Sequence, residues 1–456
     1  MKLLSFFLAL SFSSLVFSQN SNLLGVVKSE DGPLAYASVF LEGTNYVAFT
    51  DERGKYNIES VPFGEYNFRV QILGFESFNL PIKLDKDSFV VNPTLKISNN
   101  QIEEVVVSGT LKAISKSESP VPVEVYSKEF FDKNPAPSIF EAMANINGIR
   151  PQLNCNVCNT GDIHINGLEG PYTMIMIDGM PIVSGLSTVY GLMGIPKSLI
   201  ERVEVVKGPA STLYGSEAVG GIINVITKSP KKAPQFSFDV FGSSWGEINS
   251  DVGVKFKAGN KAHSLMGINY YNYSQKIDNN DDGITDLTLQ DRISIFNKWS
   301  FDRKKNRVFT IAGRYMYEDR WGGELDWTPE FRGGDSIYGE SIYTSRWEAF
   351  GVYELPMAEK VNFSFSANGH DQNSVYGDTW YVANQSVLFG QLTWFKKIKK
   401  HDFTTGLAYR YTYYDDNSIA TVDPNQIHLP GVFIQDQISL SKLSTLLLGG
   451  RYDYNS

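Results

Sequence analysis

The chain is short of the residues that build compact metal or redox sites. Its 456 residues include two cysteines and five histidines. Two cysteines exclude a disulfide-rich scaffold and a multi-cysteine zinc fold. His164, His263, His370, His401 and His428 are scattered, and no Ser/His/Asp or Cys/His setting surrounds any of them. No catalytic residue is assigned, and the chain does not read as an enzyme. Positive charge is also short: 41 Lys and Arg stand against 50 Asp and Glu, a formal charge of −9. No basic patch interrupts that balance, so nucleic acid is excluded as a partner. Beyond the first 20 residues nothing approaches the ~18 consecutive apolar residues of a membrane helix. Mean hydropathy is below zero, which excludes a helical membrane protein. A membrane β-barrel stays open, because its strands alternate apolar and polar residues and average to a soluble-looking composition.

What is abundant is aromatic. Phe, Tyr and Trp make up 13% of the chain, with 24 tyrosines and 29 phenylalanines. The length suggests about three domains. Lys2 precedes an apolar run from Leu3 to Phe17, and Val16-Phe17-Ser18 resembles a small-residue cleavage site. Residues 1–18 therefore read as a secretory signal peptide, with no cysteine at the junction for lipoprotein processing.

Residues 19–98 alternate with period two between turn signals such as Asp51-Glu52-Arg53-Gly54 and Pro62-Phe63-Gly64. Many short strands with regular turns predict a small β-sandwich. Residues 99–120 form a polar linker around the β-prone run Glu103-Glu104-Val105-Val106-Val107. Such a segment, if unpaired, adds as a strand to another protein's sheet edge; alternatively it starts the next domain. Residues 121–232 read as mixed α/β. A helix is expected over 137–147, a strand over 172–177 entering an Asp178-Gly179 turn, a short helix over 196–201, and strands over 203–207 and 220–227.

From residue 233 to 456 the pattern becomes about ten period-two segments of about ten residues each. They run 237–241, 251–257, 264–273, 292–301, 307–317, 344–354, 361–368, 386–396, 403–413, 430–440 and 445–454. Short connections alternate with long ones at 274–291, 318–343, 369–384 and 414–428, rich in Asp, Gly and aromatics. Short turns on one side, long loops on the other and aromatic strand ends predict a multi-pass barrel in the outer membrane, in contact with its lipid.

Ile200-Glu201-Arg202-Val203-Glu204-Val205-Val206-Lys207-Gly208-Pro209, running on through Tyr214-Gly215 and Gly220-Gly221-Ile222-Ile223-Asn224, resembles the plug signature of TonB-dependent outer-membrane receptors, siderophore and vitamin type. Asp178-Gly179 falls in the same pattern. Glu103, Glu104, Val105, Val106 and Val107 resemble the family's TonB box. Residues 19–98, through Thr50-Asp51-Glu52-Arg53-Gly54-Lys55-Tyr56, resemble the carboxypeptidase-regulatory-like domain that precedes the plug in Bacteroidetes receptors. The resemblance implies a mainly β chain: an N-terminal sandwich, a mixed α/β plug, and strands of a 22-stranded antiparallel transmembrane barrel. It implies energy-coupled uptake of a scarce metal chelate, most readily a ferric siderophore or haem, with cobalamin and copper as alternatives. Its partners would be TonB with ExbB-ExbD, the chelate, and a candidate surface lipoprotein. No cofactor is required. A surface receptor or adhesin, or a signal-transducing receptor without transport, is the competing reading. Arg202, Glu204 and Lys207 are expected to offer charge to the barrel wall, and Gly208 and Gly220-Gly221 to permit sharp reversals.

A compact plug of this size has a radius of gyration near ~13 Å and a diameter of roughly 35 Å. Ten tilted strands close into a cylinder only about 20 Å across, whereas roughly 22 strands give about 44 Å. The sequence is thus expected to be C-terminally incomplete, a fragment with part of its barrel.

Three ligand candidates follow. Cys155 and Cys158, three apart, fit a strained disulfide, a soft-metal pair or two free thiols. Met174, Met176, Met180, Met193 and His164 occupy the same region, although Met174 and Met176 share one strand face, which favours core packing. Asp278, Asn280, Asp282 and Asp286 follow the start of a calcium loop, with Leu289 where the bidentate Glu belongs. Trp321, Trp327, Tyr338, Tyr343, Tyr376, Trp380 and Tyr381 could stack on a planar chelate or form the membrane-boundary girdle.

Overall fold

A computed structural model describes residues 20–29, 32–72, 75–96, 105–155, 160–182, 191–441 and 444–456. The chain divides into two compact units, Met1–Glu104 and Val105–Ser456. The signal-peptide reading, Glu103 and Glu104 lie outside the described residues.

The first unit contains β1 (Asn20–Val26), β2 (Lys28–Ser29), β3 (Gly32–Pro33), β4 (Ser38–Leu41), β5 (Val47–Phe49), β6 (Lys55–Pro62), β7 (Gly64–Gln71), β8 (Phe78–Leu84) and β9 (Ser88–Val90). They form a sheet in the order β6-β1-β9, a sheet in the order β5-β4-β7-β8, and the short β2-β3 ladder. Alternate residues point inward, so Leu23, Val39, Leu41, Phe68 and Val70 meet in one core with no exposure. The motif at 50–56 closes this unit. Thr50 Oγ1 accepts from Ala37 N at 2.8 Å and donates to Leu34 O at 2.7 Å. Asp51 Oδ1 accepts from Arg53 N at 2.9 Å and Lys55 N at 2.8 Å. Gly54 sits at φ +73, and a Cβ there would come within 2.4 Å of Val27 O. Tyr56 then donates its hydroxyl to Val91 O at 2.8 Å.

The second unit begins with β10 (Val105–Val106) and β11 (Ile114–Ser115), which pair antiparallel. Next come β12 (Glu124–Ser127), β13 (Ile149–Cys155), β14 (Thr160–Ile165), β15 (Thr173–Ile177), β16 (Met180–Pro181), β17 (Ile200–Lys207) and β18 (Gly221–Thr227). The plug sheet runs β12-β17-β18-β15-β16, with β15 and β18 parallel. Helix is scarcer than the pattern suggested. Within 137–147 an α-turn spans Ile139–Ala142, with Ser138 as N-cap, and a 3₁₀ turn follows over Met143–Asn145. Over 196–201 there is only a 3₁₀ turn, Lys197–Leu199, because β17 already begins at Ile200. The helix Lys128–Lys133 and the β13-β14 hairpin had no counterpart in the sequence reading.

The remaining strands are β19 (Phe236–Gly242), β20 (Ile248–Ala258), β21 (Ala262–Tyr273), β22 (Leu289–Phe301), β23 (Phe309–Gly323), β24 (Gly339–Glu354), β25 (Lys360–Tyr376), β26 (Thr379–Ile398), β27 (His401–Asp416), β28 (Asn425–Ser439) and β29 (Thr445–Asp453). All eleven pair antiparallel with their chain neighbours. Among the described residues the sheet does not close, and β19 and β29 are its edges. Ile293, Ile295, Leu388, Leu392 and Leu407 are exposed on the outer face, while Arg292, Ser294, Gln391 and Thr393 are buried on the inner one. That inversion, apolar out and polar in, is the pattern of a lipid-facing barrel wall.

The strands outrun their apolar alternation. The expected loop 369–384 is a hairpin: β25 and β26 continue through it and turn at Gly377-Asp378, with Gly377 at φ +62. The expected loops 318–343 and 414–428 shrink to 324–338 and 417–424. Near the ends of β25 and β26 polar residues face both sides, so the period-two signal fades while the hydrogen-bond ladder continues.

Candidate functional site: the N-terminal strap and the plug–wall seam

The site is built around one buried carboxylate. Glu204 lies on β17 with no exposure. Its Oε2 accepts from Val107 N and Ser108 N, each at 2.9 Å, and from Ser108 Oγ at 2.7 Å. Its Oε1 accepts from Arg202 Nε at 3.0 Å and Nη2 at 2.7 Å. Asn224, the β18 cross-strand partner of Glu204, donates Nδ2 to Ser108 Oγ at 2.9 Å and accepts Gly179 N on Oδ1 at 2.9 Å. Tyr214 donates its hydroxyl to Ser108 O at 3.0 Å, and burial raises its pKa far above the ordinary tyrosine value. Three plug side chains thus hold one residue of the strap by its N–H, its carbonyl and its hydroxyl.

The strap is not a free linker. Val106 is fully buried with Met174, Met176 and Ile222, and Val105 and Val106 already pair with Ser115 and Ile114. An outside strand can take Val105–Val107 only after this pairing and the Glu204 bonds are broken. The two methionines belong to that same apolar core.

The plug charges pair differently from the sequence expectation. Arg202 and Glu204 face each other and the strap, and Lys207 pairs with Glu124 of β12 at 2.6 Å. Among the described residues all three pair within the plug, because the antiparallel β12-β17-β18 register places their partners beside them. The wall supplies its own cations instead. Arg314 donates to Gly191 O at 2.8 Å and Met193 O at 3.0 Å while gripping Glu348 with two bonds of 2.8 Å. Lys298 reaches Asp178 Oδ2 at 2.9 Å and Thr227 Oγ1 at 2.8 Å. Asp178, at φ +51, also accepts Thr227 N at 2.9 Å, so the Asp178-Gly179 turn is tied to β18 and the wall together. Arg410 pairs with Glu217 at 2.8 Å, and Arg451 donates to Leu213 O at 3.1 Å. None of these wall cations stood out in the sequence. Each is simply an inward position of an alternating strand.

The signature glycines divide by role. Gly208 at φ +128, Gly215 at φ +93 and Gly221 at φ +151 hold conformations that other residues rarely adopt, and a Cβ on Gly221 would come within 2.3 Å of Val206 O. Gly220 has no such φ; it lies where Tyr172 O would be 3.0 Å from a Cβ.

Cys158 and the side chain of Cys155 lie outside the described residues. In the 278–286 loop the carboxylates turn onto their own loop: Asp278 accepts Gly283 N at 2.8 Å, Asp282 accepts Ile284 N at 2.8 Å, and Asp286 accepts Asn279 N at 2.8 Å. Asn280 donates to Asp282 at 3.0 Å. Among the described residues no three His, Cys, Asp or Glu side chains are grouped to hold a metal. The loop aromatics are partly spoken for. Trp327 is buried against Trp321 at 4.8 Å between ring centres, and Trp380 and Tyr343 both lie against the Arg332 guanidinium.

An antiparallel wall with apolar outer and polar inner faces, packed against a second, smaller sheet, is the architecture of a plugged outer-membrane barrel. Comparison agrees. Residues 115–222 match the TonB-dependent Receptor Plug Domain model, and residues 23–107 match the CarboxypepD_reg-like domain model. The fold resembles FpvA of Pseudomonas aeruginosa solved with a pyoverdine–iron complex: TM-score 0.58, 15% identity, covering 79% of this chain and 56% of that one. It resembles the siderophore receptor PirA of the same organism (TM-score 0.52, 18%, 73% and 58%). It also resembles the ferric yersiniabactin uptake receptor FyuA of Yersinia pestis (TM-score 0.55, 14%, 75% and 61%). Residues 115–222 are thus a TonB-dependent receptor plug domain, and the fold is similar to that of these outer-membrane receptors. It spans between 56% and 61% of the length of these three solved chains.

Proposed function

We propose that the protein is a TonB-coupled outer-membrane transporter for a metal chelate, a ferric siderophore or haem before cobalamin or copper. The carrying observation is the strap: Val105–Ser108 is bound to the plug interior through Glu204, Asn224 and Tyr214, so force on the strap acts directly on the plug sheet. TonB, energised through ExbB-ExbD, would pair with the strap as a strand and draw it out. The three receptors compared above are described by their siderophores or iron complexes, which favours an iron chelate here. The work is binding, conformational change and release, with no covalent step.

The test is iron-55 uptake by host cells supplied with a panel of ferric siderophores and haemin. Deleting residues 103–107 is expected to abolish energy-dependent accumulation while leaving surface binding at 0 °C intact. Unchanged accumulation would sink the coupling reading. Surface binding with no accumulation even in the wild type would favour the adhesin or sensor alternative.

A further inference from the structure

Charge is mixed along the sequence but sorted across the wall. The sheet is antiparallel throughout, so β20, β22, β24 and β26 all end where the chain passes from plug into wall. The turns that follow them are residues 259–261, 302–308, 355–359 and 399–400. These hold seven Lys and Arg against Asp302 and Glu359, a net of +5. The connections at the opposite end are 243–247, 274–288, 324–338, 377–378 and 417–424. These hold two Lys and Arg against eleven Asp and Glu, a net of −9.

The two rims also use their charge differently. At the acidic end Asp278, Asp282 and Asp286 cap their own loop. At the basic end both carboxylates are already taken: Asp302 by Lys231, with His263 beside it, and Glu359 by Lys396. Among the described residues none of the seven cations pairs with a carboxylate. Arg303 donates to Val308 O at 3.1 Å and Glu354 O at 2.6 Å, and Arg307 donates to Met357 O at 3.0 Å. Bonds to carbonyls fix these guanidiniums and leave their charge unbalanced. The other five cations, all lysines, are exposed.

A second observation sets lipid beside this rim. Phe256, Trp299, Phe301, Phe309 and Tyr353 form a continuous ladder of rings, with successive centres 5.4, 6.3, 4.5 and 5.3 Å apart. Trp299 and Phe301 point outward, since Lys298 and Ser300 alternate with them and are buried on the inner face. Aromatic belts on the outer face of a barrel mark the headgroup level. The Arg303 guanidinium lies 4.1 Å from the Tyr353 ring centre, at the end of this ladder. Val308, Met357 and Ile398, in or beside the same turns, are exposed apolar side chains. The rim therefore interleaves cations with apolar groups, as an interfacial anchor does.

We propose that this rim is a docking collar for anionic phospholipids of the plug-side leaflet, with Arg303, Lys304, Lys305 and Arg307 as its main phosphate site. Neighbouring turns lie two strand spacings apart, roughly 10 Å, so the collar takes a row of headgroups. Its unbalanced charge selects headgroups of net negative charge over zwitterionic ones. The acidic rim opposite repels them. The inference rests on the wall's placement in the outer membrane and not on transport.

The test counts lipid on the native receptor. It is purified in detergent, mixed with phosphatidylglycerol or phosphatidylcholine of the same acyl chains, and read by native mass spectrometry. The wild type is expected to retain about ten times more phosphatidylglycerol, a preference that falls towards parity at high salt. K304Q/K305Q changes two exposed side chains that make no bond among the described residues, and should cut the preference severalfold. R303Q/K304Q/K305Q/R307Q should remove it; should that variant fail to fold, the milder pair decides. R53Q/K83Q/K86Q/K96Q makes the same charge change in the first unit and should leave the preference as in the wild type. Equal retention of the two lipids by the wild type, or an unchanged preference in K304Q/K305Q, overturns the collar. So does an equal loss in the first-unit variant, which would make the effect one of net charge. Displacement by inorganic phosphate would reassign the site to a free anion and overturn it as well. Iron-55 uptake, measured separately, decides the transporter reading whichever way the lipid counts fall.

Discussion

The sandwich and the plug are both small β-structures, yet they are held together differently. The sandwich closes on an apolar core, in which buried Thr50 and Ser29 bond to neighbouring backbone. The plug buries a carboxylate, a guanidinium partner, an amide and a phenol around one residue of its own N-terminal strap. Apolar contact is non-directional and tolerates shear. A hydrogen-bonded charge network is specific and fails once a partner leaves. One core rests on non-directional apolar contact, the other on a network centred on one residue.

Substitutions can break that contrast, and their effects fall in order. Glu204→Ala leaves three strap donors without their acceptor and Arg202 with Glu201 alone, and each unmet buried donor costs about 1–3 kcal/mol. Hydrogen exchange of the strap should then lose most of its protection while residues 20–96 keep theirs. Unchanged strap protection would mean the carboxylate does not hold it. Phe68→Ala in the sandwich should cost about 3–4 kcal/mol through transfer and cavity terms. Here exchange should rise across residues 20–96 with strap protection preserved, and a matching rise at Val106 would show that the two units are not independent. Asn224→Ala removes a bond to Ser108 and the acceptor for Gly179 N, for about 1–3 kcal/mol. Limited proteolysis should show faster cleavage near residue 110, and none would place the burden on Glu204 alone. Tyr214→Phe deletes one neutral hydrogen bond, about 0.5–1.5 kcal/mol. It should shift strap exchange measurably without altering the amount of receptor in the membrane.

The sequence made some of this legible and hid the rest for physical reasons. Alternation located the wall strands because lipid and lumen demand opposite residues on opposite faces. It failed at 369–384, where Asp371, Asn373 and Asn384 put polar residues on the outer face as well as the inner one. The signature run pointed to Arg202, Glu204, Tyr214 and Asn224. The barrel wall was the expected partner of Arg202 and Glu204, and it is not the one found, because cross-strand register and the return of residues 105–108 are set by tertiary pairing. The wall cations Lys298 and Arg314 were invisible for the opposite reason: in a strand of alternating polarity an inward Lys or Arg looks like any other polar residue.

The Trp321–Trp327 pair carries a spectroscopic consequence. Two indoles 4.8 Å apart at 32°, one of them almost fully buried, are close enough for their excited states to couple. A chiral pair of this kind yields a split ultraviolet circular-dichroism band. Its amplitude would report the packing of loop 324–338 against the mouth of the wall without any label. A cargo that lifts the loop would announce itself by collapsing the couplet.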